Sequence, residues 1–286
     1  MDKNLIKLID KIRNFDGTLI YSSFRNLFKY INSPFHHFDI IVGHRPLFRV
    51  RTHTDGDGKY FYNNESELSY PPDITTIDSF GRCNEPLQSL FYASDDSLIS
   101  FSEVLTKEKI ENLKDISYLT TGVWNFTKDV MVAPILEPDN VDITNPSLVN
   151  VTKKCQEYLD SFDVIPQKEE LKTLLKGMAA EFTKPFSLDK NAYLFSAAYT
   201  NYMFDTIGID DKQIEGIMYP TCKGIPEIRH LGLNYVFKKS IIGFGKKLEL
   251  VDAFRTQLVK DGKHIFETDR IHCKLINKIN GTIVWP

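Results

Sequence analysis

Cysteine is scarce: Cys83, Cys155, Cys222 and Cys273 are the four thiols of a 286-residue chain. None belongs to a C-x-x-C pair and no histidine stands at zinc-finger spacing from them, so neither a disulfide framework nor a structural zinc site is expected. The thiols read as reduced, mostly buried groups of a cytoplasmic protein. Long apolar runs are also missing, and the opening segment carries Asp2, Lys3, Lys7 and Asp10 within a helical pattern, which argues against secretion and against a membrane span. Charge of one sign is lacking too. Thirty-five Lys and Arg against 38 Asp and Glu leave −3, so direct attachment to nucleic acid by bulk charge is not expected. G-x-G-x-x-G, G-x-x-x-x-G-K-[ST], H-E-x-x-H and G-x-S-x-G are all absent, which removes the common phosphate-loop, zincin and hydrolase signatures. His36 and His37 are adjacent but have no acidic or thiol partner at ligand spacing, so no metal is expected.

What remains is an ordinary globular composition, 42% hydrophobic and 26% charged, long enough for one large domain or two small ones. From Lys223 onward the chain holds 12 basic against 6 acidic side chains, a surplus able to attract an anionic small molecule. Apolar residues at Leu5, Ile6, Leu8, Ile9 and Ile12, then Phe24, Leu27, Phe28 and Ile31, follow a helical period. Residues 1–42 are therefore expected to form a helical lead-in packed on a main body of residues 43–286. The alternation in Pro46–Thr52, PLFRVRT, predicts a strand with Arg49 and Arg51 on one face. A loop from Thr54 to Ser66 and an extended Tyr70-Pro71-Pro72 follow.

Leu90–Ala93 reads as a strand, and Asp95 as the cap of a helix with Leu98, Phe101 and Leu105 on its apolar stripe. Ile116–Leu119 and Val130–Ile135 are expected to pair. Helices are expected near Lys153–Phe162, Lys168–Phe182 and Leu188–Ile207, the last stopped by Gly208. Strands return at Gly216–Tyr219 and Asn234–Phe237. Gly243-Phe244-Gly245-Lys246-Lys247 reads as a turn before a further strand, and LINKINGTIVW as a hairpin turning at Asn280-Gly281. The pattern as a whole is α+β.

One local constellation suggests chemistry. Gly81-Arg82-Cys83-Asn84 leads into Leu90-Phe91-Tyr92-Ala93, and Glu103 stands eleven residues beyond Tyr92. An arginine fork suits a pyrophosphate or carboxylate, a tyrosine offers a flat face to a heteroaromatic ring, and a carboxylate can stabilise a ribosyl cation. These are the requirements for cleaving NAD⁺ at the nicotinamide N-glycosidic bond. Taken singly, each residue also has a plain structural reading: a loop arginine, a core tyrosine, and a glutamate opposite the Leu98–Phe101–Leu105 stripe in solvent.

The stretches FRVRT, SYPP and GRCNEPLQSLFYASDDSLISFSEVL, with Gly216–Thr221 and Gly232–Phe237 further on, resemble the RES-domain family. That family's pattern has an aromatic-Arg-x-Arg strand, a G-R-x-N element, a Tyr ten residues after that Arg and a Glu eleven after the Tyr. The matching positions are Arg49, Arg82, Asn84, Tyr92 and Glu103. The family's serine is Thr221 here, and its usual glycine after the G-R-x-N element is absent. The resemblance covers about residues 45 to 240.

It implies an ADP-ribosyltransferase-like fold, with a mixed, twisted β core and flanking helices. It also implies an NAD⁺-degrading toxin, a glycohydrolase or phosphorylase with a helix-turn-helix antitoxin as partner. NAD⁺ would be the substrate, with no metal. Arg82 assisted by Arg49 would hold the phosphates, Tyr92 would flank the nicotinamide ribose, and Glu103 would stabilise the ribosyl centre. Thr221 would hydrogen-bond the ligand and Asn84 would brace the loop. An ADP-ribosyltransferase acting on a macromolecule and a catalytically lapsed nucleotide-binding module are the two alternatives.

Overall fold

The computed structural model describes residues 21, 24, 25, 28, 40–42, 45–53, 61–105, 116–136, 146–161, 165–184, 192–205, 213–221, 232–261 and 264–286. Most of the expected lead-in, His36, His37, Cys222 and Gly208 lie outside them. In chain order the elements are β1 (Ile40–Val42), β2 (Leu47–Thr52), α1 (Glu65–Leu68), β3 (Leu90–Ser94), α2 (Ser97–Val104), β4 (Ile116–Phe126) and β5 (Val130–Pro134). After them come α3 (Pro146–Asp160), α4 (Ile165–Phe182), α5 (Leu194–Phe204), β6 (Gly216–Pro220) and β7 (Leu233–Lys238). The chain closes with β8 (Leu248–Asp261), β9 (His264–His272), β10 (Leu275–Ile276) and β11 (Ile283–Val284). The architecture is mixed α+β with mostly antiparallel strands, as the sequence pattern anticipates.

The chain divides into two compact units. The first comprises Met1–Ile41, Asp73–Leu90 and Val130–Val236. Its centre is α5, in which Leu194 through Asn201, Met203 and Phe204 are all buried. A helix apolar on every side has to be enclosed, and aromatic rings enclose this one. Phe24 and Phe28 set their rings 5.2 and 5.3 Å from Phe195, edge on, and Phe28 lies 5.2 Å from Tyr199. Phe182, at the end of α4, reaches Tyr199 at 6.1 Å and Tyr219 of β6 at 5.5 Å. Two polar side chains of α5 are bonded within the unit: Thr200 donates to the Ser196 carbonyl, and the Asn201 side-chain amide pairs with that of Gln88. Strands β5 and β6 pair in parallel, Val132 opposite Gly216 and Pro134 opposite Met218. All five residues of β5 are buried, as parallel strands require.

The second unit comprises Val42–Pro72, Phe91–Asp129 and Phe237–Pro286. Its strands run in the order β3-β2-β4-β8-β9, each neighbouring pair being antiparallel. Residues directly opposite one another point to the same side. One face therefore carries Leu47, Arg49 and Arg51 of β2 with Trp124, Gly122 and Thr120 of β4. The other carries Phe48, Val50 and Thr52 with Val123, Thr121 and Leu119. On this second face Val50, Leu119 and Leu258 form a buried cluster against which Phe101, Val104 and Leu105 pack, so α2 covers it. The Ser100 hydroxyl fixes the helix further by donating to the Phe48 carbonyl at 2.9 Å.

Several expectations are corrected. Strands β4 and β5 do not pair with each other: β4 lies between β2 and β8, and β5 pairs with β6. The cap of α2 is Asp96 rather than Asp95, its carboxylate accepting from the Leu98 and Ile99 amides. The apolar stripe of α2 is displaced with it: Leu98 is 59% exposed while Ile99 is fully buried. Glu65–Ser66, expected in a loop, begin α1, where Asn64 and Glu67 form a reciprocal capping box. The C-terminal hairpin forms, but Ile276 faces Ile283, so residues 277–282 make a longer loop than a two-residue Asn-Gly turn. Within it Gly281 adopts φ 74°, a conformation that suits glycine. The strand expected after the Gly243–Lys247 turn is β8, but its length and its hairpin with β9 go beyond that expectation.

Gly122 measures how tightly the second unit is packed. A Cβ there would stand 2.8 Å from Trp124 Nε1 and 3.0 Å from Leu250 Cδ1. Overpacking of this kind costs about 1–3 kcal/mol, so Gly122→Ala is expected to lower the urea midpoint without changing the m-value. A midpoint equal to wild type would contradict this packing.

Candidate functional site

Arg49 stands in the middle of β2, which pairs with β3 through Phe48 opposite Ser94. Beyond that pair its side chain takes over: Nε donates to the Ser69 carbonyl at 2.9 Å and a terminal nitrogen donates to the Tyr92 carbonyl at 2.7 Å. Its guanidinium carbon lies 5.3 Å from the centre of the Phe91 ring, within cation–π range. Burial, and then the neighbouring Arg51 charge, lower the Arg49 pKa to about 9, against an opposing influence of Tyr92. It remains a cation at neutral pH.

Alternation along β3 puts Tyr92 on the same side as Ser94, hence on the face that α2 covers. Glu103 is half-buried on α2. At about 100° per residue it projects ~40° from Ile99 and ~60° from Ser100, the two buried residues of that helix. It therefore shares the inward side of α2, and the expectation of a glutamate in open solvent is corrected. Phe101 and Val104 turn toward the Leu119–Leu258 side of the sheet, and Ile99 and Glu103 lie on a different side of the helix. Tyr92 projects on the sheet face that α2 covers, and Glu103 is half-buried on α2 itself. Arg49 projects from the other face and reaches Tyr92 through its main chain.

The remaining expected site residues belong to the first unit. Arg82 donates to the carbonyls of Phe182 and Lys184 at 2.5 and 2.6 Å, and its guanidinium lies 4.9 Å from the Tyr193 ring centre. The Phe182 carbonyl ends α4 and that of Lys184 lies two residues beyond it, where the last turn has no intrahelical donors and the helix dipole is negative. The arginine fork therefore acts as a C-terminal cap. Asn84 is buried and braces the loop: the Gly81 amide donates to its carbonyl at 3.0 Å, and its side chain donates to the Glu85 carbonyl at 3.1 Å. A Cβ on Gly81 would come within 2.3 Å of Asn84 Oδ1, which explains physically why glycine occurs three residues before this asparagine. Thr221 is fully buried directly after β6.

The pattern reading missed the polar surroundings of Arg51. His53 Nε2 lies 2.7 Å from Thr120 Oγ1, and its ring lies 4.7 Å from that of Tyr62. Arg255 holds its guanidinium 4.2 Å from the Phe61 ring centre and 4.7 Å from that of Tyr118. The available signal was the period-two spacing of Arg255 and Gln257 within β8, which matches that of Arg49 and Arg51 in β2. Among the described residues no group of three His, Cys, Asp or Glu side chains could hold a metal ion. No family model, curated protein or solved structure matches the chain.

The capping role of Arg82 has a measurable consequence. Hydrogen bonds from a charged donor contribute about 1.5–3 kcal/mol, so Arg82→Ala is expected to destabilise the protein by that order in chemical denaturation. Arg82→Lys should recover only part of the loss, because a single ammonium lacks the planar fork that reaches both carbonyls. Unchanged stability in R82A would show that the cap is dispensable.

Proposed function

We propose that the chain degrades NAD⁺ by cleaving the nicotinamide N-glycosidic bond, as the resemblance to RES-domain proteins and their ADP-ribosyltransferase-like fold implies. The observation that supports this reading is that Tyr92 projects on the sheet face covered by α2 while Glu103, eleven residues on, is half-buried on that same helix. A carboxylate drawn partly out of water interacts more strongly with charge that develops nearby. Glu103 is assigned to stabilising the positive charge of the ribosyl centre, which exists only in the transition state. Tyr92 is assigned to flanking the nicotinamide ribose with its ring. Arg49 serves this pair by fixing the Tyr92 carbonyl, and therefore the strand from which the ring projects. Within the first unit Asn84 braces the loop that carries Arg82, and a helix-turn-helix antitoxin is the expected partner.

A second reading, a nucleotide-binding module without turnover, rests on two departures from the family pattern: Thr221 in place of serine, and the missing glycine after the G-R-x-N element.

The two readings separate in one experiment, mass-spectrometric analysis of NAD⁺ incubated with the purified chain, with and without phosphate. Degradation predicts free nicotinamide with ADP-ribose or its phosphorylated form, and transfer predicts ADP-ribose attached to a macromolecule. Glu103→Gln should slow NAD⁺ loss by about 10²-fold or more while leaving the melting temperature near wild type. Undiminished turnover in E103Q would remove the assignment, and tight NAD⁺ binding with no product would favour the second reading.

A further inference from the structure

On the sheet face opposite Tyr92, the register aligns three residues across neighbouring strands. Arg51 of β2 is opposite Thr120 of β4, and Thr120 is opposite Arg255 of β8. With strands about 4.8 Å apart, the two arginine Cα atoms are about 10 Å apart with a threonine between them. Arg49 occupies the next row on the same face, opposite Gly122, so three guanidinium groups lie within two rows.

Among the described residues their surroundings hold no compensating negative charge. Among the described residues no carboxylate pairs with Arg51 or Arg255, and Arg255 Nε is buried without a hydrogen-bond partner. The nearest acid on this face by register is Asp269, opposite Gln257 in the adjacent row, and it is exposed. The proton affinity of Arg49 is lowered partly by Arg51, the response expected where like charges crowd a poorly hydrated surface.

The row is also held rigid. Phe61 and Tyr118 grip the Arg255 guanidinium from 4.2 and 4.7 Å, and His53 fixes the Thr120 hydroxyl. Preorganised donors of this kind bind an oxyanion without the entropic cost of ordering long side chains. Two planar forks on either side of a hydroxyl match the tetrahedral, multiply charged oxygens of a phosphate group better than a single carboxylate.

We infer that the Arg51–Thr120–Arg255 row is a binding site for a phosphate-bearing small molecule, on the sheet face opposite Tyr92 and Glu103. Arg51 and Arg255 grip the phosphate oxygens from two sides, with the buried Thr120, held by His53, as the spacer between them. The anion offsets a positive cluster that no described carboxylate balances. This site is independent of the NAD⁺ reading, because no reacting group is required at it.

Isothermal titration calorimetry of the full chain with inorganic pyrophosphate and with inorganic phosphate, in the absence of NAD⁺, tests the inference directly. Binding should be saturable and should weaken as salt is raised. Arg51→Gln and Arg255→Gln should each weaken it by about tenfold or more, the equivalent of ~1.4 kcal/mol. Circular-dichroism melts establish that each variant is folded. Should R255Q fail to fold, the half-buried Arg51 decides the matter through R51Q alone. Absence of saturable heat with wild type, or wild-type affinity in folded R51Q, would overturn the site whatever the NAD⁺ assay shows.

Discussion

The second unit depends on one side chain. Beyond the pairing of Phe48 with Ser94, the Arg49 guanidinium bonds the carbonyls of Tyr92 and Ser69 and lies over Phe91. Buried carbonyls without donors cost free energy, and a planar cation with several N–H groups can satisfy two that point in different directions. One residue thereby ties the β3 backbone, the segment after α1 and an aromatic core residue to β2. The cost is a positive charge taken out of water, visible in the lowered proton affinity of Arg49. An uncharged residue of similar length could not serve, since Gln carries only two donors on one nitrogen.

The first unit solves a similar problem in the same way. The carbonyls at the end of α4 and two residues beyond it accept from Arg82, whose cation is flanked by the Tyr193 ring. Both arginines that sequence resemblance singles out as phosphate-holding groups are also structural clamps, and in both an aromatic face covers the guanidinium. Arg51 and Arg255 make no carbonyl bond of this kind. The division of labour among the arginines therefore depends on what each fork already touches.

Much of this was legible in the sequence, and the failures have definite causes. LFRVRT shows its strand because the arginines keep a strict period of two. The helices α3 and α4 follow their apolar spacing, and Phe24 with Phe28 marks one buried helical side. The length of strand β8 was concealed by a change of phase. Leu248 and Leu250 pair with Phe126 and Trp124, whereas Ala253 pairs with Gly122, and Val251 has no partner across the irregularity. One extra residue moves the inward positions from even to odd numbers, so the alternation breaks in the middle of a fourteen-residue strand. Glu103 was read as solvated because the apolar stripe was drawn through Leu98, Phe101 and Leu105, whereas Leu98 is exposed and Ile99, which lies close to Glu103 on the helix, is fully buried. The role of Arg82 was not legible, since the carbonyls it caps are 100 and 102 residues away.

Asn64 and its neighbours connect distant parts of the second unit. The Asn64 amide donates to the Asn280 carbonyl, the Ile283 amide donates to the Asn63 carbonyl, and the Glu65 amide donates to the Gly281 carbonyl. Asn64 and Asn280 are 216 residues apart. During synthesis from the N-terminus, α1 can close its own capping box early, but these three bonds form only after residues 280–283 have left the ribosome. The segment around Asn64 must therefore wait, with part of its backbone hydrated, while more than two hundred further residues are made.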